Sequence, residues 1–251
     1  MRRRPLGHGW CTAYASGVTL VAVMQPYLLP YVGYLQLMRA VDTFVWLDDA
    51  QFVKHRWMNR NRILLDGEVR WLTIPVRTSR LSTSIRDKRY DLSGAIITRA
   101  GEKLRHAYGG RPGWDSVSAL LEELRSVGSD SVAEVNERLL VSAMELLGAE
   151  VPRLERASEL GVEAKSAEAR VIALCRAVGA TEYVNLPGGR ELYSSRSFAE
   201  AGLALSYLEP RLDPYPQGQA GFVAGLSIVD VIANAAVEAV GDHSFTIVAG
   251  D

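Results

Sequence analysis

Residues 25–62 read QPYLLPYVGYLQLMRAVDTFVWLDDAQFVKHRWMNRNR, and this stretch decides the fold. The apolar, partly β-branched run at 18–24 before it predicts a buried strand. An amphipathic helix is predicted at 31–41, because apolar side chains repeat there at helical spacing: Tyr34, Leu37, Met38 and Val41. A second apolar run at 43–47 predicts another strand. Such a strand–helix–strand unit is nearly always a right-handed crossover between parallel strands.

Two loops of this unit leave the carboxyl ends of the two strands. The first is the QPYLLP segment at 25–30, and the second begins with Asp48-Asp49. Both are therefore predicted to line one pocket at the sheet edge where open α/β folds bind their ligands. The substrate-binding residues predicted from these loops and the adjoining helix are Gln25, Tyr27, Tyr34, Gln51 and Lys54.

The candidate catalytic residues are Asp48, Asp49 and His55. Because the two aspartates are consecutive at a strand end, their side chains diverge and at most one faces a substrate directly. We predict that one of them, with Asp49 ahead of Asp48, is the base or orienting group for an attacking amine. His55 is the candidate proton relay. The structural alternatives are that the two aspartates form a turn or cap a helix, and that His55 is simply exposed.

A β-hairpin follows this unit. Asp66-Gly67 predicts a two-residue type I′ turn between strands at 61–65 and 68–74. The run at 59–62 enters its first strand, and side-chain alternation lets either the two asparagines or the two arginines face the site together. The candidate substrate-binding residues here are Asn59, Arg60, Asn61 and Arg62.

Positive charge is concentrated around this hairpin. From Lys54 to Arg89 there are ten Lys and Arg against three Asp and Glu, a local charge of +7 in a chain whose formal net charge is −1. Such a cluster predicts an anionic partner, namely a phosphate, a nucleotide or the acceptor end of a tRNA. The alternative is an arginine-rich solvated hairpin.

The later part of the chain alternates helices and strands. A helical pair is predicted at 115–127 and 130–147, within a helical subregion at about 115–148, and Asp130 is its predicted cap. No clean periodicity is present at 81–99. The elements predicted after the pair are a helix from Ser166 to Val178, a strand at 181–185, a short helix at 195–201, a strand at 203–208 and a last helix at 227–240.

Five further candidate substrate-binding residues lie in this part: Gly188, Gly189, Tyr193, Tyr215 and Gln217. The two glycines belong to a Pro-Gly-Gly-Arg turn after a strand, which forms either an anion-binding concavity or a plain turn. Tyr215 and Gln217 lie in a proline-rich loop and are predicted to be exposed or to line a pocket. In the last helix, Ser227 and Asp230 have capping-box spacing, which favours a capping role for Asp230 over a catalytic one.

Composition bounds the remaining possibilities. A chain of 251 residues, 48% hydrophobic and 23% charged, is typical of a globular protein, and no apolar run has the length of a membrane helix. We predict a disordered lead-in at 1–16 and a single α/β domain at 17–251, with a cytoplasmic location. Cys11 and Cys175 are far apart, so a disulfide, a zinc site and a cysteine nucleophile are not predicted.

Several phrases together resemble the WbqC-like protein family, found among O-antigen and other polysaccharide gene clusters. They are QPYLLPYVGYLQL, DTFVWLDDAQFVK, WMNRNRI, WLTIPV, LGAEVPRLERASEL, RVIALCRAVGATEYVNLPGGRELY, DPYPQ and FVAGLSIVDVIANA, which span roughly 18–235. The resemblance implies a role in adding glycine or a related acyl group to an amino sugar. One departure is Val223-Ala224-Gly225, where family members often carry a bulky residue or proline.

The expected fold class is α/β, with a Rossmann-like, mainly parallel sheet, an inserted or flanking β-hairpin and a helical pair. The expected function is an amide-forming transferase that uses no metal and no cofactor, with an anionic donor such as a nucleotide or aminoacyl-tRNA and an amine or amino-sugar acceptor. The alternatives are a nucleotide- or nucleotide-sugar-binding protein without catalysis and a nucleotidyltransferase-like enzyme. The last lacks support at 31–34, where Tyr-Val-Gly-Tyr replaces the expected His-x-Gly-His.

Overall fold

The computed structural model describes residues 17–219, 221–236, 239 and 245–250. The predicted lead-in at 1–16 lies outside the described residues, as does most of the predicted last helix after 236. The strands are β1 (Leu20–Met24), β2 (Thr43–Trp46), β3 (Arg60–Leu65), β4 (Glu68–Thr73), β5 (Arg153–Arg156), β6 (Glu182–Asn185), β7 (Ala204–Pro210) and β8 (Phe245–Ala249). The α-helices are α1 (Val32–Ala40), α2 (Gly94–Tyr108), α3 (Trp114–Ser126), α4 (Val132–Leu146), α5 (Ala167–Ala177), α6 (Ser195–Glu200) and α7 (Ile228–Ala233), and Pro187–Leu192 is a 3₁₀ helix.

Six strands form one sheet in the order β5-β2-β1-β6-β7-β8. The first five run parallel, and β8 is antiparallel to β7 at the edge. The strands of the β1-α1-β2 unit are therefore parallel neighbours, as predicted, with Val21 paired to Thr43 and Met24 to Trp46. The predicted α/β class and the mainly parallel sheet are confirmed.

Side-chain alternation along β1 and β2 sends apolar groups to both faces of the sheet. Ala22, Phe44 and Trp46 join the larger core, which also contains side chains of α1, the hairpin and α2–α4. Val23 and Val45 join the smaller core beneath α5 and α6. Burial on both faces explains why these strands are continuous apolar runs rather than alternating ones.

The hairpin β3-β4 is a separate two-stranded sheet, as predicted. Asp66 and Gly67 at its tip have φ values of 53° and 75°, the left-handed conformation that a type I′ turn requires at both central positions. One face of the hairpin packs against α2, through contacts such as the Leu64 amide donating to the Tyr108 hydroxyl oxygen at 3.0 Å. The other face of β4 is largely exposed.

Several predicted boundaries are wrong. Helix α2 was not predicted, because its glycines and scattered polar residues weaken the helical repeat. Asp130 does not cap α4: Ser131 holds that position, and the Asp130 carboxylate pairs with Arg77 at 3.0 Å and Arg89 at 3.4 Å. The last helix is shorter than predicted and ends before Ala235, which has φ of 53°.

Helices α3 and α7 meet at Gly113, where backbone packs on backbone. The Gly113 amide donates to the Ala233 carbonyl oxygen at 2.8 Å, and a Cβ at this position would lie 1.8 Å from the Ile232 carbonyl oxygen. We expect Gly113→Ala to lower the free energy of unfolding by about 1–3 kcal/mol or more, because backbone has to move to admit the methyl group. The matched control is Gly110→Ala, where a Cβ has no heavy atom within 4 Å. Urea denaturation of both variants measures the difference, and equal stabilities would refute the close packing.

Candidate functional site

A cavity of about 260 Å³ opens at the carboxyl edge of the sheet. Met24 at the end of β1 and Leu186 just after β6 form part of its wall, which places it beyond the carboxyl ends of two neighbouring strands. The polar and aromatic side chains that line it are Tyr27, Tyr31, Tyr34, Trp57, Asn61 and Arg62. The first loop therefore lines a pocket at the predicted edge. The segment 48–51 does not line this cavity, which corrects the prediction of one pocket shared by both loops.

The loop at 25–30 has no regular secondary structure, so its carbonyl groups need partners from other elements. The Asn61 side chain donates to the Leu28 and Leu29 carbonyls at 3.0 and 2.9 Å, and Asn136 on α4 donates to the Pro26 carbonyl at 2.9 Å. The Leu29 carbonyl also accepts from the Ser227 hydroxyl at 2.7 Å. Leu29 itself has φ of 40°, a strained value for a leucine that these bonds maintain.

Three tyrosines project from this loop and from α1. The Tyr34 hydroxyl donates to the Gln25 carbonyl at 2.6 Å, and the Tyr27 hydroxyl donates to the Gln25 side-chain oxygen at 3.1 Å. Burial raises the pKa of both, and it raises the pKa of Tyr31 to about 12, with a further contribution from the negative charge of Glu209. All three hydroxyls therefore stay protonated at neutral pH and act as hydrogen-bond donors.

Tyr31 differs from the other two tyrosines because its hydroxyl has no hydrogen-bond partner among the described residues. Its ring lies against Gly33, where a Cβ would come within 2.5 Å of the ring carbon Cε2 and 2.7 Å of the hydroxyl oxygen. A glycine two residues after Tyr31 is thus needed to hold the ring in this position. Tyr31 is not among the site residues predicted from the sequence.

Arg62 brings a positive charge to the cavity. Its Nη2 donates to the Gly225 carbonyl at 2.8 Å, and its guanidinium carbon lies 5.7 Å from the centre of the Trp57 ring. Its Nε is buried without a hydrogen-bond partner, and no carboxylate pairs with it among the described residues. Gly225 has φ of 68° and lines the cavity, so the departure noted at 223–225 does fall on the cavity wall.

The alternation predicted at 59–62 is wrong, because the consecutive residues Asn61 and Arg62 both line the cavity. The long Arg62 side chain reaches Gly225 and Trp57, which are themselves in the wall. Asn59 instead donates to the Ile74 carbonyl at 3.0 Å, and the Arg60 guanidinium donates to the His55 carbonyl and lies 4.0 Å above the Trp71 ring.

The two predicted catalytic aspartates each have protein partners outside the cavity. Asp48 is buried and accepts from the Ser158 amide at 3.0 Å and from the Ser158 hydroxyl at 2.6 Å. Asp49 forms an ion pair with Arg170 of α5. These contacts fasten the end of β2 to the segment after β5 and to α5, and the catalytic role of either aspartate stays a prediction.

The other residues predicted near these aspartates are exposed. Gln51 donates to the Leu81 carbonyl at 2.9 Å, away from the cavity wall. Lys54 and His55 are exposed, and His55 has φ of 61° in the turn that leads to Trp57. None of the three lines the cavity.

The Pro-Gly-Gly-Arg segment forms the start of the 3₁₀ helix rather than an open concavity. Gly189 packs on Asn185, since a Cβ there would meet the Asn185 side-chain nitrogen at 2.2 Å, whereas a Cβ at Gly188 would meet nothing within 4 Å. Tyr193 packs edge-on against Tyr183, with ring centres 5.5 Å apart, and does not line the cavity.

Asp230 has a role that the capping-box spacing did not indicate. Its carboxylate is fully buried and accepts hydrogen bonds from the Tyr108 hydroxyl at 3.0 Å, the Tyr215 hydroxyl at 2.7 Å and the Gln217 amide at 2.8 Å. Burial raises its pKa, while these three bonds and the charge of Arg111 act in the opposite direction. The predicted helix cap at Asp230 is therefore wrong. Tyr215 and Gln217, which were predicted to be exposed or to line a pocket, do not line this cavity and instead anchor their loop onto α7.

Among the described residues, no group of three or more His, Cys, Asp or Glu side chains has the arrangement of a metal site. No helix in the described part of the chain is long and apolar enough to cross a membrane.

Comparison with known proteins identifies relatives of this chain. The model of the WbqC-like protein family matches residues 25–242. A protein of Mycobacterium tuberculosis (strain ATCC 25618 / H37Rv), named uncharacterized protein Rv1507c, is 30% identical over 227 residues, which cover 87% of this chain and 95% of that protein.

The hydrogen bonds from Asn61 to the loop at 25–30 are expected to contribute to the stability of the protein. Replacing Asn61 by Leu leaves the Leu28 carbonyl without a donor and removes one of two donors to the Leu29 carbonyl. We expect a loss of about 1–3 kcal/mol for each buried group left unsatisfied. Asn234→Ala is the control, because it removes one half-buried bond to a carbonyl at the end of α7. Chemical denaturation that gives equal losses for the two variants would contradict the account.

A second prediction separates the structural and catalytic roles of the aspartates. Asp48→Ala is expected to destabilise the protein by about 1–3 kcal/mol, because the Ser158 amide and hydroxyl lose their buried acceptor. Asp49→Asn weakens a partly exposed ion pair and is expected to cost less. A loss of turnover of about 10²–10⁴-fold in folded Asp49→Asn protein would instead identify a general base.

Proposed function

This chain belongs to the WbqC-like protein family, and we propose that it is an amide-forming transferase of polysaccharide or natural-product biosynthesis. It transfers a glycyl, aminoacyl or related acyl group from an anionic activated donor to an amino sugar or another amine. The observation that carries the proposal is one cavity at the carboxyl edge of the sheet that holds two groups with unused hydrogen-bond donors: one has no acceptor among the described residues, and the other donates only to the Gly225 carbonyl. These are the Tyr31 hydroxyl and the Arg62 guanidinium, respectively.

Both groups suit the charge changes of acyl transfer. Arg62 binds a phosphate or carboxylate of the donor, and a guanidinium provides parallel N–H donors for such an anion. The Tyr31 hydroxyl, which stays protonated because its pKa is about 12, donates to the acyl oxygen as negative charge develops on it. The cavity has more apolar than polar wall, and hydrogen bonds made there are less weakened by water than at the surface.

The chemical step requires no protein nucleophile. The amine nitrogen attacks the acyl carbon and forms the C–N bond, and the bond between the acyl carbon and the carrier oxygen, or sulfur in a thioester, breaks. The carrier leaves with the electron pair of that bond and takes up one proton, while the nitrogen loses one. No carboxylate lines the cavity among the described residues, so the amine enters as its neutral form, and an aspartate base at 48–49 acts only if the loop after β2 moves.

The same lack of a cavity carboxylate favours one alternative, a protein that binds a nucleotide or nucleotide sugar without catalysis. Under this alternative Arg62 binds the phosphates and the tyrosines stack on the sugar or base. Binding is then observed without turnover for every combination of donor and acceptor.

The experiment is a mass-spectrometric assay for amide products. Purified protein is incubated with glycyl and other aminoacyl donors, as adenylates, thioesters or tRNA esters, and with UDP- or dTDP-linked amino sugars. The proposal predicts a product heavier than the acceptor by one acyl group. If no donor gives a product but nucleotide sugars bind tightly, the protein is a nucleotide-sugar-binding protein without catalytic activity.

Variants test the two cavity groups. Arg62→Ala is expected to weaken donor binding about tenfold or more, since a charge-assisted bond is worth about 1.5–3 kcal/mol. Tyr31→Phe is expected to lower kcat by about 10²–10³-fold with little change in donor affinity. This is the typical cost of removing one hydrogen-bond donor to an oxyanion. Gly33→Ala should reproduce the Tyr31 defect, because its methyl group displaces the ring. Arg196→Ala, an exposed arginine of α6, is the control.

A further inference from the structure

Two neighbouring tryptophan rings, with an arginine at each end, form a row that runs from the cavity to the outer face of the hairpin. The Arg62 guanidinium lies 5.7 Å from the Trp57 ring, and the Trp57 ring centre lies 5.5 Å from that of Trp71. The Arg60 guanidinium covers Trp71 at 4.0 Å. Trp71 is 40% exposed although it is a large apolar side chain. We call these four residues the Arg–Trp ladder.

Five cations in the segment that contains the ladder have no acidic partner among the described residues. Within the described residues, no carboxylate pairs with the following cations of the 54–80 segment: Lys54, Arg56, Arg60, Arg62 and Arg80. Arg70 and Arg77 of the same segment do pair, with Glu68 and Asp130. The local excess of positive charge is therefore available to an anionic ligand.

From this geometry we infer that the Arg–Trp ladder binds the single-stranded 3′ end of an RNA and leads its terminal nucleotide into the cavity. Single strands are bound by cations that contact successive phosphates and by aromatic rings on which bases stack. A free mononucleotide occupies only the cavity, whereas the ladder extends beyond it onto the hairpin surface. A bilayer is a poorer fit, because Arg60 covers one face of Trp71 and the surrounding groups are charged.

The inference rests on the proposed function and specifies its donor as an aminoacyl ester on the terminal ribose. Attack by the amine forms the amide C–N bond and breaks the ester C–O bond. The ribose oxygen leaves with the electron pair and becomes a hydroxyl by taking up a proton, so no ATP or other co-reactant is consumed.

The test measures binding of a fluorescein-labelled single-stranded RNA ending in ACCA, without an aminoacyl group, by fluorescence anisotropy across a salt series. Wild-type protein is expected to bind with an affinity that falls as salt increases. Arg60→Ala should reduce the slope of log K against log salt by about 0.7, the value for one phosphate contact on a single strand. Trp71→Ala should weaken binding about 5–100-fold, and Trp71→Phe should restore most of it.

Two variants serve as controls for RNA binding. Arg196→Ala and Leu146→Ala remove an exposed cation and an exposed apolar side chain of α6 and α4 and should leave RNA binding unchanged. Thermal melting verifies that each variant is folded. Three results would overturn the inference: no detectable RNA binding at low salt, RNA binding no tighter than the binding of heparin to this protein, or RNA affinity that is unchanged in both Arg60→Ala and Trp71→Ala. Amide formation from adenylate or thioester donors despite that result would leave the proposed function standing.

Discussion

The site depends on one constraint: the loop at 25–30 is largely buried without forming a helix or a strand, so its carbonyl groups need hydrogen-bond donors from other elements. An unpartnered buried carbonyl costs about 1–3 kcal/mol. Asn61, Asn136, Tyr34 and Ser227 supply the donors, from the hairpin, α4, α1 and the start of α7. The loop therefore forms only when all four elements are in place, and it couples the cavity wall to the whole larger core.

This constraint also sets the electrostatics of the cavity. The side chains of Asn61 and Tyr34 already donate hydrogen bonds to protein carbonyls. The Tyr31 hydroxyl, in contrast, has no hydrogen-bond partner in the described residues, and the Arg62 guanidinium donates only to the Gly225 carbonyl. Both groups are donors, and no carboxylate offsets them in the described wall. A cavity of this kind favours ligands that bring acceptor oxygens and negative charge. The exposed Arg–Trp ladder extends the same preference onto the hairpin.

The parts of the fold that depend on local chemistry were predictable from the sequence. Hydrophobic periodicity located the β1-α1-β2 unit, and Asp66-Gly67 located the hairpin turn, because each signal lies within the element it specifies. The contacts of the site span longer distances along the chain. Asn136 lies 110 residues from Pro26, whose carbonyl it binds, and no local pattern reveals such a pair. Asp230 has the spacing of a helix cap, but its partners come from α2 and the 211–225 loop.

The most direct measurement is a crystal structure of the protein with 3′-deoxy-3′-(glycylamino)adenosine 5′-monophosphate, a stable amide mimic of a glycyl ester on a terminal nucleotide. The account predicts the 5′-phosphate within hydrogen-bond distance of the Arg62 guanidinium and the glycyl carbonyl oxygen within hydrogen-bond distance of the Tyr31 hydroxyl. The loop at 25–30 should keep its contacts with Asn61 and Asn136. A cavity that stays empty at saturating ligand, or a ligand bound beside Asp48 and Asp49 instead, would contradict it.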